Sequence, residues 1–483
     1  MAAVGPGESA QTTGIWAISI LGGSPRKLRD DAGRASVSPS GAQIAYIGGR
    51  SQSEIWIMGA DGENPRKLLQ AAPGDRFLQV QWSPAGNRIA YIKLHNDDEK
   101  SQTTIETVPV SGGVSATILA GPSLGSFWWS SDDRIIYSAV EPAPNSSDMN
   151  LSQIQVDRTG RKVSASKRIT TWAGVSLLDL SASADGKRLM VVKAGFQRDL
   201  YVAEVKKHQM MGTPRRFTLE GRDEIPSSWT PDGQRLFFYS NRNGNWDIFR
   251  QGLQERKAQD FILKPGDQIE PRVSPDARWV LYWDSAEMDQ GKTAGIRLMR
   301  VPISGGAPEP VLQASHGAVI HCSRGHPRCV LSELDRGNGE LVFSVFDPAS
   351  GKKDELIRLA ADLASAPSWD LSSDGLTAAV VDLGNHQDCI RLVDLETGSG
   401  HSVCADQSTQ LSGVSWSADG NGWFVTDSSV RKAAILYISS DGQVSQLWTT
   451  STAVGAPLAS PDGTGLAFTV SSYNSNAWMI EDF

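Results

Sequence analysis

Apolar and polar residues alternate along this chain in short runs, separated by punctuation rich in Gly, Asp, Asn and Ser. The stretch 224–264 shows the unit. A strand runs into Trp229, and Thr230-Pro231-Asp232-Gly233 supplies the left-handed backbone of a tight hairpin. Arg235-Leu-Phe-Phe-Tyr239 is the return strand. After the polar loop Ser240-Asn-Arg-Asn-Gly244 come a third strand, Trp246-Asp-Ile-Phe-Arg250, and a fourth, Asp260-Phe-Ile-Leu263. The third strand recurs as Glu54-Ile-Trp-Ile-Met58, Asp199-Leu-Tyr-Val-Ala203 and Ala434-Ile-Leu-Tyr-Ile438. The fourth recurs as Pro65-Arg-Lys-Leu68 and Pro214-Arg-Arg-Phe217, often after a turn such as Ser111-Gly-Gly113 or Ser304-Gly-Gly306. No segment carries a 3.6-residue apolar period, so low helix content is expected.

The hairpin signature is periodic. Clear copies are Ser183-Ala184-Asp185-Gly186, Thr230-Pro231-Asp232-Gly233, Ser372-Ser373-Asp374-Gly375, Ser417-Ala418-Asp419-Gly420 and Ser460-Pro461-Asp462-Gly463. Eroded copies begin at Ser38, Ser83, Ser130 and Ser274. The fourth positions fall at 41, 86, 133, 186, 233, 277, 375, 420 and 463, so most neighbours lie 43 to 53 residues apart; the one interval of 98 hides a further unit near Ser323-Arg324-Gly325-His326. A strand-built unit of this period predicts an all-β fold, a β-propeller of four-stranded antiparallel blades. About nine to ten repeats occupy 14–483, in one large ring or split into two propellers, after a disordered tail at 1–13. At the chain ends, 476–480 and 14–19 both read as third strands. The segment 25–28 is expected to complete the last blade as its outer strand.

Composition narrows the partners. The 483 residues carry a formal charge of −8, and basic residues are dispersed in pairs such as Arg66-Lys67 and Arg215-Arg216, which argues against nucleic acid. Trp82, Trp129, Trp229 and Trp416 each precede the Ser or Thr of the signature and read as core wedges between blades. No basic start precedes an apolar run, and about 18 apolar residues never occur together. The expectation is therefore a monomer without membrane insertion, cytoplasmic as written or periplasmic if the chain follows an upstream membrane segment. Asn145-Ser-Ser147 and Asn150-Leu-Ser152 match the glycosylation pattern, which is common by chance.

The four cysteines sit symmetrically about turns. Cys322 and Cys329 flank Ser323-Arg-Gly-His-Pro-Arg328, and Cys389 and Cys404 flank Glu396-Thr-Gly-Ser-Gly400. Two readings stay open: hairpin-opposed disulfides, which imply an oxidising compartment, or free buried thiols.

Segments such as Trp229-Thr-Pro-Asp-Gly-Gln-Arg-Leu-Phe-Phe238 followed by Asn245-Trp-Asp-Ile-Phe249 resemble the TolB-type, WD-like propeller repeats, over nearly the whole chain. Ile15-Trp-Ala-Ile-Ser-Ile-Leu-Gly-Gly23, Arg300-Val-Pro-Ile-Ser-Gly-Gly306 and Asn476-Ala-Trp-Met-Ile-Glu-Asp-Phe483 resemble the propeller regions attached in bacteria to serine/threonine protein kinases and winged-helix regulators. That resemblance implies a sensor or scaffold whose chemistry belongs to a partner domain. This chain has no Gly-rich phosphate loop, no H-R-D or D-F-G motif and no basic recognition helix.

Catalytic motifs are equally sparse. Gly413-Val-Ser-Trp-Ser417 begins like a nucleophile elbow but ends in Ser417 where Gly is required. His316, His321 and His326, near Cys322 and Cys329, lack the paired spacing of a zinc site and read as exposed loop or strand residues. No metal or other cofactor is expected. The remaining candidates are charges entering the innermost strands at the channel mouth: Arg34, Arg76, Glu224, Glu270 and Arg272. Mixed charge there suits a protein or peptide partner, or a small polar ligand, at the propeller top face. The expected function is a non-catalytic binding, sensory or scaffolding module in a bacterial signalling or envelope system. The alternative is a hydrolase or lyase with its site at the channel mouth.

Overall fold

The computed structural model describes residues 2–3, 14–19, 21–49, 52–96, 101–121, 123–142, 148–157, 159–183, 185–285, 295–335, 337–360, 367–381, 388–405, 409–429 and 433–481. The first glycosylation pattern and most of the segment 1–13 lie outside them. Among the described residues there is no helix, and therefore none long and apolar enough to cross a membrane. Among the described residues the strands form eight four-stranded sheets with antiparallel neighbours, one sheet of three strands and one of five. Each four-stranded sheet follows chain order, a meander closed by tight turns.

The hairpin signature explains the regularity. At the second clear copy, Gly233 takes φ 66, and the Thr230 carbonyl accepts from its N–H at 2.8 Å. The Thr230 hydroxyl donates to Asp232 Oδ1 at 2.5 Å and accepts the Arg235 N–H at 3.0 Å. Asp232 Oδ1 also accepts the Gln234 N–H at 3.0 Å. One hydroxyl and one carboxylate thus satisfy the backbone of the turn. In eroded copies Asp133 and Ala277 hold the left-handed position at φ 59 and 57, where a side chain is strained.

The tryptophans before the signature fasten one sheet to the next. Trp82, Trp129 and Trp229 are buried and Trp416 half-buried. The Trp82 indole N–H donates to the Ser36 carbonyl at 3.1 Å, and the Trp416 indole to the Asp370 carbonyl at 3.3 Å. Apolar residues of adjacent sheets, such as Phe217, Trp229, Leu236, Phe238 and Phe249, fill the space between them. Each such interface behaves as a small core.

The chain divides into two compact units: Met1–Pro142, Ser146–Gly195 and Asn474–Phe483, and Ala143–Asn145 with Phe196–Tyr473. In the first, sheets begin at Ala32–Val37, Asp75–Trp82, Leu124–Trp129 and Ser176–Ala182. In the second, the first strands are Glu224–Trp229, Gln268–Val273, Val319–Cys322, Ser368–Leu371, Leu411–Trp416 and Val454–Ala459. Consecutive members of this set are neighbours, and the last also adjoins the first, where the Trp229 indole donates to the Leu458 carbonyl at 3.0 Å. The unit hidden in the 98-residue interval is a four-stranded sheet starting at Val319–Cys322.

The chain ends depart from expectation. The expected strands 199–203 and 476–480 are parts of two long continuous strands, Arg188–Lys206 and Gly465–Glu481, which pair in the five-stranded sheet. Neither stretch is interrupted by a turn, so alternation simply runs on. Arg26–Asp30 pairs with Gly14–Ala17, which also pairs with Ala2–Ala3. The segment 25–28 therefore does not complete the last blade. Its partner Gly14–Ala17 is close by in the chain, and the two form a local hairpin within a separate three-stranded sheet.

Candidate functional site

The first strands of the second unit carry an in-register layer of side chains. Counting back two residues from the signature Ser or Thr gives Ser228, Arg272, His321, Asp370, Ser415 and Leu458. In three of these six strands this residue accepts a backbone N–H from the next. Ser228 Oγ accepts the Val273 N–H at 3.1 Å, Ser415 Oγ accepts the Ala459 N–H at 3.2 Å, and Asp370 Oδ2 accepts the Trp416 N–H at 2.9 Å. Three adjacent strands bear Arg272, His321 and Asp370 instead of small residues.

These three line a cavity of about 170 Å³ with Arg324. Arg324 holds the second signature position, which is proline at Pro231, Pro275 and Pro461 on the same cavity. The substitution puts a cation where other units place an apolar ring. Trp229, Val273, Leu371 and Leu458 supply apolar wall. Ser227, Ser228, Ser274 and Ser323 add hydroxyls, so charged, neutral polar and apolar groups converge on one concavity, as in a ligand pocket.

Each ionisable group is fixed. His321 Nδ1 lies 2.9 Å from Asp370 Oδ1, and the two side chains are only 13% and 14% exposed. The imidazole packs on Trp369 with centroids 4.5 Å apart, and the Trp369 indole donates to Ser332 Oγ at 2.9 Å. Asp370 Oδ1 also accepts its neighbour Leu371 N–H at 2.9 Å. Arg272 donates from Nη1 to the Ser227 carbonyl. Arg324 donates from Nη2 to the Ala459 carbonyl at 2.9 Å, on a different strand of the set.

The charges follow from this packing. Burial pulls the Asp370 carboxyl upward, but the bond and charge of His321, the Arg324 charge and the Trp416 N–H outweigh it, holding the pKa at about 2. Burial, reinforced by the Arg272 charge, pulls His321 below its ordinary value against the attraction of Asp370. Burial and the Arg272 charge also lower Arg324, which stays a cation. The imidazole is therefore neutral near pH 7. The cavity wall then holds two cations, Arg272 and Arg324, against one carboxylate, Asp370.

Of the five channel-mouth charges singled out in sequence, Arg272 alone lines this cavity; His321, Cys322 and Trp229, singled out on other grounds, line it too. Glu270 sits on the same strand at φ 52, where the register shifts, and burial raises its carboxyl against the attraction of Arg272. Glu224 is fully buried and paired with Arg242, which also reaches Glu220 at 3.4 Å. Arg34 and Arg76 belong to the first unit and are exposed. His316 and His326 are exposed, but His321 is not: the expectation of an exposed residue fails because its strand is the inner one of a sheet. Arg324 and Asp370 were not singled out; aligning the eroded turn at Ser323 with its intact copies would have flagged both. Cys322 faces Cys329 and Cys389 faces Cys404 across their hairpins, and each pair is joined by a disulfide.

No family model matches the chain. It is 26% identical over 159 residues to the uncharacterized protein Atu1656 of Agrobacterium fabrum, a match covering 28% of this chain and 51% of that protein. It is 34% identical over 87 residues to the Tol-Pal system protein TolB of Legionella pneumophila, covering 17% and 19%. The chain thus matches about half of one relative and a fifth of the other. Among solved structures it is similar to TolB from Acinetobacter baumannii, at 15% identity and TM-score 0.22 over 66% of this chain and 61% of that one. It is also similar to oligogalacturonate lyase in complex with manganese, at 14% and 0.36 over 60% and 76%. Likenesses this distant carry no argument about chemistry. The repeated signature and the succession of antiparallel four-stranded sheets make the fold a TolB-like β-propeller.

Proposed function

We propose that this chain is a non-catalytic binding module, a monomer serving a bacterial envelope or signalling system. In this reading the six first strands of the second unit surround one channel as a six-bladed ring. The last blade is made from both ends of the unit, Val454–Ala459 with Gly465–Glu481 joining Arg188–Lys206 and Gln209–Arg216. Its channel cavity receives a segment of a protein partner. The carrying observation is the convergence of Arg272, His321, Arg324 and Asp370 on one cavity. The protein named TolB belongs by its name to the Tol-Pal system, and the shared repeat supports an envelope setting. The two disulfides support an oxidising compartment. A sensor or scaffold role beside a kinase or winged-helix regulator is the finer form of this proposal.

A second reading, a hydrolase or lyase, draws on the His321–Asp370 pair, which has the geometry of a base and its orienting carboxylate. Affinity capture from the envelope fraction of the native host separates the two. The binding reading expects a protein retained by the chain and lost from the Arg272→Gln/Arg324→Gln double variant. Turnover of ester, peptide or uronate substrates abolished by His321→Gln would favour the enzyme.

A further inference from the structure

We propose that the second unit's cavity is a carboxylate-recognition site in which Arg272 and Arg324 share the free C-terminal carboxylate of a peptide. The inference rests on the binding-module reading and names what the module grips.

Positive charge in the cavity is not matched by its own wall. Asp370 is the one carboxylate lining it, and its oxygens are already taken by His321 and by the N–H groups of Leu371 and Trp416. Among the described residues, no carboxylate lies within ion-pair distance of Arg272 or Arg324. Arg272 bonds the Ser227 carbonyl, and its Nε is buried without a partner. Arg324 spends one Nη on the Ala459 carbonyl, and its other donors make no hydrogen bond among the described residues. Two guanidinium groups with unused donors, in a chain of net charge −8, mark a place built for an anion. Guanidinium donors match the planar, two-oxygen geometry of a carboxylate.

The surroundings favour a carboxylate on an apolar body. Trp229, Val273, Leu371 and Leu458 with the ring of Pro275 give the wall an apolar part, and Ser227, Ser228, Ser274 and Ser323 a neutral polar part, which suits the polar end of a peptide that carries a small apolar terminal residue. Backbone and Arg capture of a chain terminus is an established recognition mode. His321 and Asp370 act as positioning residues: neutral His321 adds no charge, and Asp370 bonds the neighbouring strand and stops short of the arginines.

The test uses the full chain and fluorescein-labelled tetrapeptides ending in Ala, Val or Leu, each as free acid and as C-terminal amide. Anisotropy is expected to show saturable binding of the acids and at least about tenfold weaker binding of the amides. Arg272→Gln and Arg324→Gln should weaken the acids by a similar factor, and Arg324→Lys less. If Arg324→Gln unfolds by circular dichroism, the acid-versus-amide comparison on the unaltered chain decides. Succinate forms the second arm. An arginine-dependent rise in Tm with succinate, without peptide binding, keeps the carboxylate site and overturns the peptide as its source and the protein-partner reading with it. Equal binding of acid and amide, or no response to either probe, overturns the proposal.

Discussion

His321 Nδ1 meets Asp370 Oδ1 at 2.9 Å, and the two residues occupy the same repeat position on neighbouring first strands. The pair thus joins adjacent sheets where elsewhere a serine hydroxyl meets a backbone N–H. Because burial and Arg272 depress the imidazole, His321 should titrate below 6.5 in an NMR pH series. A group lowered in the folded state contributes stability above its unfolded value and loses it as pH falls. Asp370→Asn removes the attraction that opposes the depression, so the midpoint should drop further. A midpoint above 6.5 would contradict the assigned charge state.

Glu224 predicts the opposite slope. Its Oε2 is buried without a partner, and burial pushes its carboxyl from 4.5 to about 8 despite Arg242. A raised folded-state value means a contribution complete below 4.5 and lost as pH climbs through about 8. Urea midpoints of the unaltered chain should therefore fall over that window, and Glu224→Gln should flatten the fall. Parallel profiles for the two proteins would show that Glu224 is ionised throughout.

The eroded turns give a sign test. Ala277 sits at φ 57 where Gly233 sits at φ 66. Ala277→Gly should stabilise the chain by about 0.5–1 kcal/mol, the strain relieved exceeding the added freedom of the unfolded chain. Gly233→Ala should destabilise it, since a Cβ there would stand 2.9 Å from the Asp462 carboxyl carbon. Urea unfolding of both variants checks the pair, and equal signs would reject the argument.

The Cys389–Cys404 bridge spans a sequence separation of 15. Replacing both cysteines should cost about 3 kcal/mol if loop-closure entropy dominates. The Cys322–Cys329 bridge, with a separation of 7, should matter less to stability and more to the cavity, because Cys322 lines it. Non-reducing peptide mapping should recover these two pairs. Four alkylatable thiols after air oxidation would place the chain in a reducing compartment.

The sheets were legible because the Ser/Thr-x-Asp-Gly turn encodes its own hydrogen bonds: the hydroxyl, carboxylate and left-handed glycine of Thr230–Gly233 are all local. The sheet near Ser323 was legible by period even though its turn has lost both Asp and the final Gly. The long strands were not, since Arg188–Lys206 contains no residue that fixes where one sheet's share ends. The cavity was not either. Its side chains come from strands some 45 residues apart, and Arg324 and Asp370 acquire meaning only when those strands are laid side by side. Charge near a strand entrance was a poor guide, catching Arg272 but also the exposed Arg34 and Arg76.

The central claim is that this chain engages a partner through the cavity of its second unit. A photocrosslinking amino acid at Pro231, on the cavity wall, and separately at the exposed Arg34, followed by irradiation in the native host and mass spectrometry, tests it directly. The account predicts a discrete protein adduct from position 231 that disappears when Arg272 and Arg324 are both replaced by Gln, and none from position 34. An adduct from position 34 alone, or one from 231 that survives loss of both arginines, would contradict it.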